Sequence, residues 1–140
     1  MYKIDTDRDG DIAEAIVHKE MCKKGWRTYY GARDAPYDFI VEVTPNYFET
    51  IQVKKLKNGV LRQSVKRDNQ KVTENGKKRN TITYADVGIH WLAGVDIETE
   101  EVHYYKLNNY RNIEAAHFTV SKYPADQFPV NEAIRKNTIY

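Results

Sequence analysis

The chain has 140 residues, of which 41% are hydrophobic, and this is enough for one globular domain spanning residues 1–140 with a buried core. No apolar run approaches the ~18 residues needed to cross a bilayer, and the chain does not open with a secretory signal pattern. Cys22 is the sole cysteine, which excludes an intramolecular disulfide framework, so we expect an intracellular, cytoplasmic protein.

The net charge of +2 indicates no particular partner, but the charges are unevenly distributed. Residues 54–79 contain ten lysines and arginines against Asp68 and Glu74, a local balance of +8. Two interpretations carry equal weight. This segment is either a solvated face or a surface that binds the phosphate backbone of a nucleic acid.

The first segment has the spacing of a calcium-binding loop, because Asp5, Asp7 and Asp9 alternate and Gly10 occupies the sixth position. The twelfth position, however, is Ile16 rather than a bidentate glutamate. The aspartates are instead typical of a helix N-terminus, where acids favour the helix dipole and cap free amides.

A helix is predicted from about Asp11 to Lys24, with Gly25 as its stop. His18 and Cys22 are i,i+4 neighbours on it, but without a second ligand pair we expect packing rather than zinc binding. Its apolar residues recur at helical spacing and form one arc, namely Ile12, Ala13, Ala15, Ile16, Val17 and Met21.

Runs rich in aromatic and β-branched residues, separated by turn signals, predict several strands after this helix. The Asn58-Gly59 pair predicts a tight hairpin, and the polar segment Asp68–Asn80 predicts a surface loop. The predicted strands are Trp26–Tyr30, Tyr37–Val43, Tyr47–Lys54, Val60–Arg67, Thr81–Asp96, Val102–Leu107 and His117–Lys122, with short helical segments at Asn109–Ala116 and Val130–Asn137.

The strands Tyr37–Val43 and Tyr47–Lys54 carry the candidate chemistry. A two-residue period places Asp38 on the face opposite Phe39, and it places Gln52 and Lys54 on one shared face. Pairing the strands therefore brings an acid, an amide and a lysine together. Glu14 borders the apolar arc of the helix and either is solvated or points into the same helix–sheet junction.

If these groups converge, their oxygens suit a hard divalent ion such as Mg²⁺ or Mn²⁺. The expected ligands are Asp38, Glu14, the Gln52 amide oxygen and the Val53 carbonyl. Lys54 would then orient an attacking water or stabilise charge on a phosphoryl group. The alternative for each residue is simple solvation, with Asp38 a surface acid at a strand end and Lys54 the first of a lysine run.

Three segments in order, Gly10-x-x-Ala13-Glu14, Pro36-Tyr37-Asp38 and Gln52-Val53-Lys54, resemble the PD-(D/E)XK nuclease superfamily. The resemblance covers Gly10 to Leu107 and implies an α/β fold with a central mixed β-sheet flanked by helices. It implies that Asp38 binds metal, that Lys54 is the catalytic lysine and that Glu14 is the acid carried by the helix in many members. Gln52 departs from the usual acid and is similar to the homing-endonuclease branch.

This resemblance implies a metal-dependent DNA endonuclease, most similar to the site-specific homing type, with a Holliday-junction resolvase or restriction-like nuclease as the alternative. A homodimer or higher homo-oligomer is expected, because one small chain offers one active site. A non-catalytic nucleic-acid-binding module, in which Gln52 marks a decayed site, is the alternative of another class. The expected DNA contacts are Lys55, Lys57, Arg62, Lys66, Arg67, Lys71, Lys77, Lys78 and Arg79.

The segment Leu92-Ala93-Gly94-Val95-Asp96 matches part of the LAGLIDADG homing-endonuclease signature. In that family the motif is helical, whereas here it lies in a strand-like sequence context. We therefore interpret the match as a coincidence.

Overall fold

The computed structural model describes residues 4–62, 64–65, 82–110 and 117–130. Helix α1 (Ile4–Lys23) begins seven residues before the predicted start at Asp11, so the aspartate-rich segment is helical and does not form a calcium loop. The extension has a physical reason, since acids in the first turns of a helix interact favourably with its dipole.

Helix α1 stops at Gly25, as the sequence predicts, and its end forms a Schellman motif. Gly25 has a φ of 70°, and its amide donates to the Cys22 carbonyl at 3.1 Å. The Trp26 amide donates to the Met21 carbonyl at 3.1 Å, so carbonyls of the last turn are satisfied and the chain turns towards the sheet.

A mixed five-stranded sheet with strand order β1-β2-β3-β7-β8 forms the centre of the fold. Its neighbouring strands are antiparallel except for β3 and β7, which are parallel. The strands of the described residues are β1 (Thr28–Tyr30), β2 (Phe39–Thr44), β3 (Tyr47–Lys55), β4 (Val60–Arg62), β5 (Ser64–Val65), β6 (Ile82–Thr83), β7 (Trp91–Asp96), β8 (Glu101–Lys106) and β9 (His117–Thr119).

Helix α1 packs on one face of this sheet, and the strand alternation read from the sequence is confirmed there. Each fully buried apolar side chain contributes about 1.5–3 kcal/mol relative to its exposed state. Buried residues of this core include Ala13, Val17 and Met21 from the helix and Phe39, Val41, Val43, Ile51, Val53 and Val95 from the strands.

The predicted hairpin at Asn58-Gly59 forms, with positive φ at both residues and a bridge between Lys57 and Val60. The prediction that Val60–Arg67 returns along β3 is wrong. Strand β7 already occupies that edge of β3, so β4 pairs with β9 in a separate two-stranded sheet, and Ser64–Val65 pairs with β6.

Gly94 of β7 allows the β3–β4 connection to fold over the second face of the sheet. A Cβ atom at this position would lie 2.9 Å from Cδ1 of Leu61 and 3.2 Å from Cδ2 of Leu56. Because Gly94 has no side chain, both leucines can pack directly against the backbone of β7.

The single strand predicted over Thr81–Asp96 is instead strand β6, a 3₁₀ helix (Ala85–Val87) and strand β7. Gly88, with a φ of 87°, ends the 3₁₀ helix by donating to the Ala85 carbonyl. The LAGLIDADG-like segment lies in β7 and is extended, so it lacks the helix that the signature requires.

The short helix predicted from Asn109 is observed as α2 (Leu107–Tyr110), with residues 111–116 outside the described ranges. The predicted loop Asp68–Asn80 and most of the helical segment Val130–Asn137 also lie outside them. No helix in the described ranges is long and apolar enough to cross a membrane.

Candidate active site

Asp38 lies immediately before β2 and is fixed against β3 by backbone and side-chain bonds. Its amide donates to the Ile51 carbonyl at 2.9 Å, and its carbonyl accepts from the Gly31 amide at 2.9 Å. Its carboxylate oxygen Oδ2 accepts from the Val53 amide at 2.8 Å. These hydrogen bonds hold the Asp38 carboxylate in one position, beside β3 and just before the first residue of β2.

Gly31 is required by the loop that delivers Asp38. A Cβ atom at Gly31 would overlap the carbonyl oxygen of Tyr37 and lie 2.9 Å from Cδ2 of its ring. The loop between β1 and β2 therefore passes so close to itself that a side chain here must displace the residue next to Asp38.

We expect Gly31→Ala to lower the free energy of unfolding by about 1–3 kcal/mol, because the backbone of Tyr37 must move. Denaturant unfolding followed by circular dichroism measures this. Gly10→Ala is the matched control, since Gly10 is helical with open space around it, and it should gain about 0.5–1 kcal/mol. Equal stabilities of Gly31→Ala and the parent would contradict the proposed close approach.

Glu14 and Asp38 form an interacting pair of carboxylates across the helix–sheet junction. Burial raises the pKa of Glu14, and the negative charges of Asp38 and Asp11 raise it further. Burial also raises the pKa of Asp38, against the lowering effects of the Val53 hydrogen bond and the positive charge of Lys54. Asp38 thus interacts electrostatically with Glu14 on α1 and with Lys54 on β3.

Gln52 lies opposite Asp38 in the continued register of the strands. Phe39 pairs with Ile51, and the two strands are antiparallel. Asp38, one residue before Phe39, therefore lies level with Gln52, one residue after Ile51. The half-buried residues Gln52 and Lys54 alternate along β3 with Ile51 and Val53, which are buried against α1. Gln52 and Lys54 therefore point to the face away from α1.

The Val53 carbonyl lies on the Asp38 side of β3. The Thr50 carbonyl accepts from the His90 amide, so even-numbered residues of β3 bond towards β7. The Ile51 carbonyl and the Val53 amide instead bond to Asp38. The amide and the carbonyl of one strand residue point to the same side of the strand. The Val53 carbonyl therefore points to the side on which Asp38 lies, next to the first residue of β2.

The candidate donors are the carboxylates of Asp38 and Glu14, the Gln52 amide oxygen and the Val53 carbonyl. Electrostatic coupling links Asp38 to Glu14, whereas Gln52 lies on the sheet face away from α1. Within the described ranges, no group of three or more histidine, cysteine, aspartate or glutamate side chains is arranged to hold a metal. Gln52, at the position where the motif that this chain resembles usually has an acid, is not one of these residue types. The remaining set still fits Mg²⁺, which takes one or two carboxylates and keeps several waters.

Lys54 has a neighbour that the sequence did not indicate. Its Nζ lies 5.2 Å from the centroid of the Tyr84 ring, and Tyr84 is buried. Tyr84 is 30 positions further along the chain and belongs to no motif, so no sequence signal links it to Lys54.

The predicted DNA contacts fall into two groups. Lys55 forms an ion pair with Asp9 at 2.6 Å on the surface, Lys57 is exposed, and Arg62 is half-buried in β4. The remaining predicted contacts, Lys66, Arg67, Lys71, Lys77, Lys78 and Arg79, lie outside the described residues.

His18 and Cys22 form a local pair on α1 that packs against aromatic residues. Cys22 Sγ lies 3.6 Å from His18 Nε2, and the Tyr30 hydroxyl lies 3.1 Å from His18 Nδ1. The His18 ring stacks on Phe39 with centroids 5.8 Å apart.

The raised pKa of Glu14 makes a prediction about stability. A carboxyl whose pKa is higher in the folded state stabilises the fold below its ordinary pKa, and that contribution is lost as the pH rises through the folded value. Glu14→Gln should therefore melt at a higher temperature than the parent at pH 7, and the difference should vanish in acid, where the parent carboxyl is protonated.

Thermal unfolding in a chelator at pH 4 and pH 7 measures this difference. Glu98→Gln, at an exposed turn acid, is the control and should match the parent at both pH values. A Glu14→Gln protein that is less stable than the parent at pH 7 would show that the ionised carboxylate stabilises the fold.

Comparisons with known proteins identify the family and the fold. A family model described as PD-(D/E)XK endonuclease matches residues 4–132. A search of curated proteins gave no match. Among solved structures, the fold is similar to a bacterial homing endonuclease, I-Ssp6803I, with a TM-score of 0.62 and 17% sequence identity over 81% of this chain and 76% of that chain.

The structural similarity confirms the predicted α/β fold with a mixed central sheet, and at this identity it shows the fold alone. The family model matches nearly the whole chain and confirms the family resemblance that the sequence indicates. The chain belongs to the PD-(D/E)XK endonuclease family.

Proposed function

We propose that this endonuclease cleaves DNA and depends on Mg²⁺ or Mn²⁺. The observation that carries the proposal is the fixed Asp38 carboxylate, held by the Val53 amide at 2.8 Å beside the charges of Lys54 and Glu14. Asp38, Glu14, the Gln52 amide oxygen and the Val53 carbonyl would hold the ion. A strand-end acid that only accepts the hydrogen bond from the Val53 amide would not explain why Glu14 and Lys54 lie close enough to affect its charge.

The residues have distinct parts in this mechanism. When bound, a divalent ion supplies a water of lowered pKa and neutralises charge on a phosphoryl oxygen. Asp38 and Glu14 provide the negative charge that holds it. Lys54 orients the attacking water and stabilises the negative charge that develops on the phosphoryl group. Since the pKa values of both acids are raised, ion binding and cleavage should decline as the pH falls.

Within this class we favour a site-specific homing-type nuclease that acts as a homodimer or higher homo-oligomer. Gln52 in place of the usual acid supports this choice, as does the fold shared with a protein described as a bacterial homing endonuclease. Cutting both strands requires two active sites, and each chain supplies one. A Holliday-junction resolvase is the alternative, because it would use the same chemistry on another DNA structure.

Side-by-side cleavage assays test the proposal. Linear duplex, supercoiled plasmid and a four-way junction are incubated with Mg²⁺, Mn²⁺ or a chelator. A homing-type enzyme should cut a duplex at a defined sequence, whereas a resolvase should nick the junction symmetrically. Cleavage that persists in the chelator would refute metal dependence.

A non-catalytic binding module remains the candidate of another class, and Gln52 is the observation that favours it. Replacing an acid by an amide removes one negative charge from the ion site and lowers its affinity for a cation. A protein that binds DNA but cuts none of the three substrates with either metal would support this function instead.

Gln52→Glu restores the missing charge and should tighten metal binding. We expect the Mg²⁺ concentration for half-maximal cleavage to fall by about tenfold, because a carboxylate binds a hard cation more strongly than an amide oxygen. Cleavage rates across a Mg²⁺ titration measure this. The control is Asn46→Asp, an equivalent change of charge at an exposed turn of the same hairpin. An unchanged midpoint would place Gln52 outside the coordination shell.

A further inference from the structure

Tyr84 presents the face of its ring to the ammonium group of Lys54. The distance of 5.2 Å from Nζ to the ring centroid is within the range of a cation–π interaction, which extends to about 6 Å. Tyr84 is only 7% exposed, so the ring is screened from water on most of its surface. A partly desolvated contact of this kind is stronger than one on an open surface.

The ring is anchored by the turn that contains it. The Tyr84 carbonyl accepts from the amides of Val87 at 3.2 Å and Ile89 at 3.1 Å. Tyr84 also packs in a buried cluster with Ile89, Leu92 and Leu107. These contacts fix the position of the ring independently of Lys54.

The same turn is tied to β3, the strand that carries Lys54. The Thr50 hydroxyl donates to the Gly88 carbonyl at 2.7 Å, and the Thr50 amide donates to His90 Nδ1 at 2.9 Å. Thr50 is four residues before Lys54 on that strand. The ring and the lysine backbone are therefore parts of one connected structure.

We infer that Tyr84 is a positioning residue that holds the Lys54 ammonium beside Asp38 through the face of its aromatic ring. The inference rests on the proposed DNA cleavage. A lysine side chain has four flexible carbons, and an electron-rich ring face limits where its charge resides. Tyr84 does not touch the substrate in this role and acts only through Lys54.

The test separates the ring's electrostatic effect from its shape. Tyr84→Phe keeps the aromatic face, while pentafluorophenylalanine at the position of Tyr84 keeps the ring but removes its negative face. Tyr84→Leu removes the ring altogether. The control is Tyr123→Leu, because the ring of Tyr123 also lies near a lysine, at 5.9 Å from Lys122 Nζ, and packs against a different cluster, that of Leu61 and Tyr105.

Single-turnover cleavage and DNA affinity in a chelator are measured for each protein, with melting temperature as a check of folding. We expect Tyr84→Phe and Tyr123→Leu to cleave like the parent, and the fluorinated and Tyr84→Leu proteins to cleave about tenfold more slowly. DNA affinity should be unchanged, because the defect lies in the chemical step.

Cleavage by the fluorinated protein at the rate of Tyr84→Phe would overturn the inference and leave the proposed function standing. This comparison holds even if Tyr84→Leu fails to fold, since fluorination preserves the shape of the ring. A parent protein that cleaves no DNA with either metal would overturn the proposed function, and the inference with it.

Discussion

Lys54→Ala is expected to lower the single-turnover rate of DNA cleavage by about 10²–10³-fold, the usual cost of removing one group that stabilises transition-state charge. The effect should fall on the rate and leave DNA affinity almost unchanged, because a single lysine contributes little to binding by the whole basic segment. Rapid-quench cleavage under Mg²⁺ and fluorescence anisotropy in a chelator measure the two quantities separately.

Lys55→Ala is the matched control for this change. Lys55 is the next residue on β3, but it is surface-exposed and paired with Asp9 on α1. Such exposed ion pairs contribute about 0–1 kcal/mol, so this variant should fold normally. Loss of its expected DNA contact should weaken affinity, while the cleavage rate at saturating protein should stay close to the parental rate. Equal losses in both variants would indicate a general role in DNA binding and would remove Lys54 from the catalytic mechanism.

Asp38→Asn should lower cleavage by at least about 100-fold, because an amide cannot replace the charge that holds the metal. The fold should survive, since the asparagine oxygen can still accept the hydrogen bond from the Val53 amide. Cleavage rates with Mg²⁺ and Mn²⁺ test the first expectation, and thermal unfolding tests the second.

A metal titration gives this prediction a second measurement. Binding to the folded state alone should stabilise the parent by about 2.7 kcal/mol at an ion concentration one hundred times the dissociation constant. Asp38→Asn should show much less of this gain, whereas Asp34→Asn, a control at an exposed acid of the same loop, should keep it. Metal-dependent stabilisation that persists in Asp38→Asn would move the ion site elsewhere.

The sequence predicted the centre of this fold better than its periphery. Strand β3 alternates buried and partly exposed residues from Glu49 to Lys54, and β2 does so apart from the buried Glu42. The face shared by Gln52 and Lys54 could therefore be inferred from the pattern. The start of α1 could not, because the helical spacing of apolar residues begins only at Ile12, whereas the helix begins at Ile4.

The non-local features required the structure. The partner of β4 depends on which strand occupies the second edge of β3, and that parallel pairing joins segments far apart in the sequence. The contact of Tyr84 with Lys54 depends on the break in the predicted strand at Gly88. Neither feature leaves a local pattern of hydrophobicity or turn residues.

The bond from the Val53 amide to Asp38 changes how related sequences should be compared. An amide at this place needs an acceptor whether or not the protein cuts DNA, so an aspartate or asparagine would be retained for folding even after catalysis was lost. Glu14 is different, since burial and the charge of Asp38 both disfavour its ionised form. An acid kept at position 14 is therefore the better marker for telling an active family member from an inactive descendant.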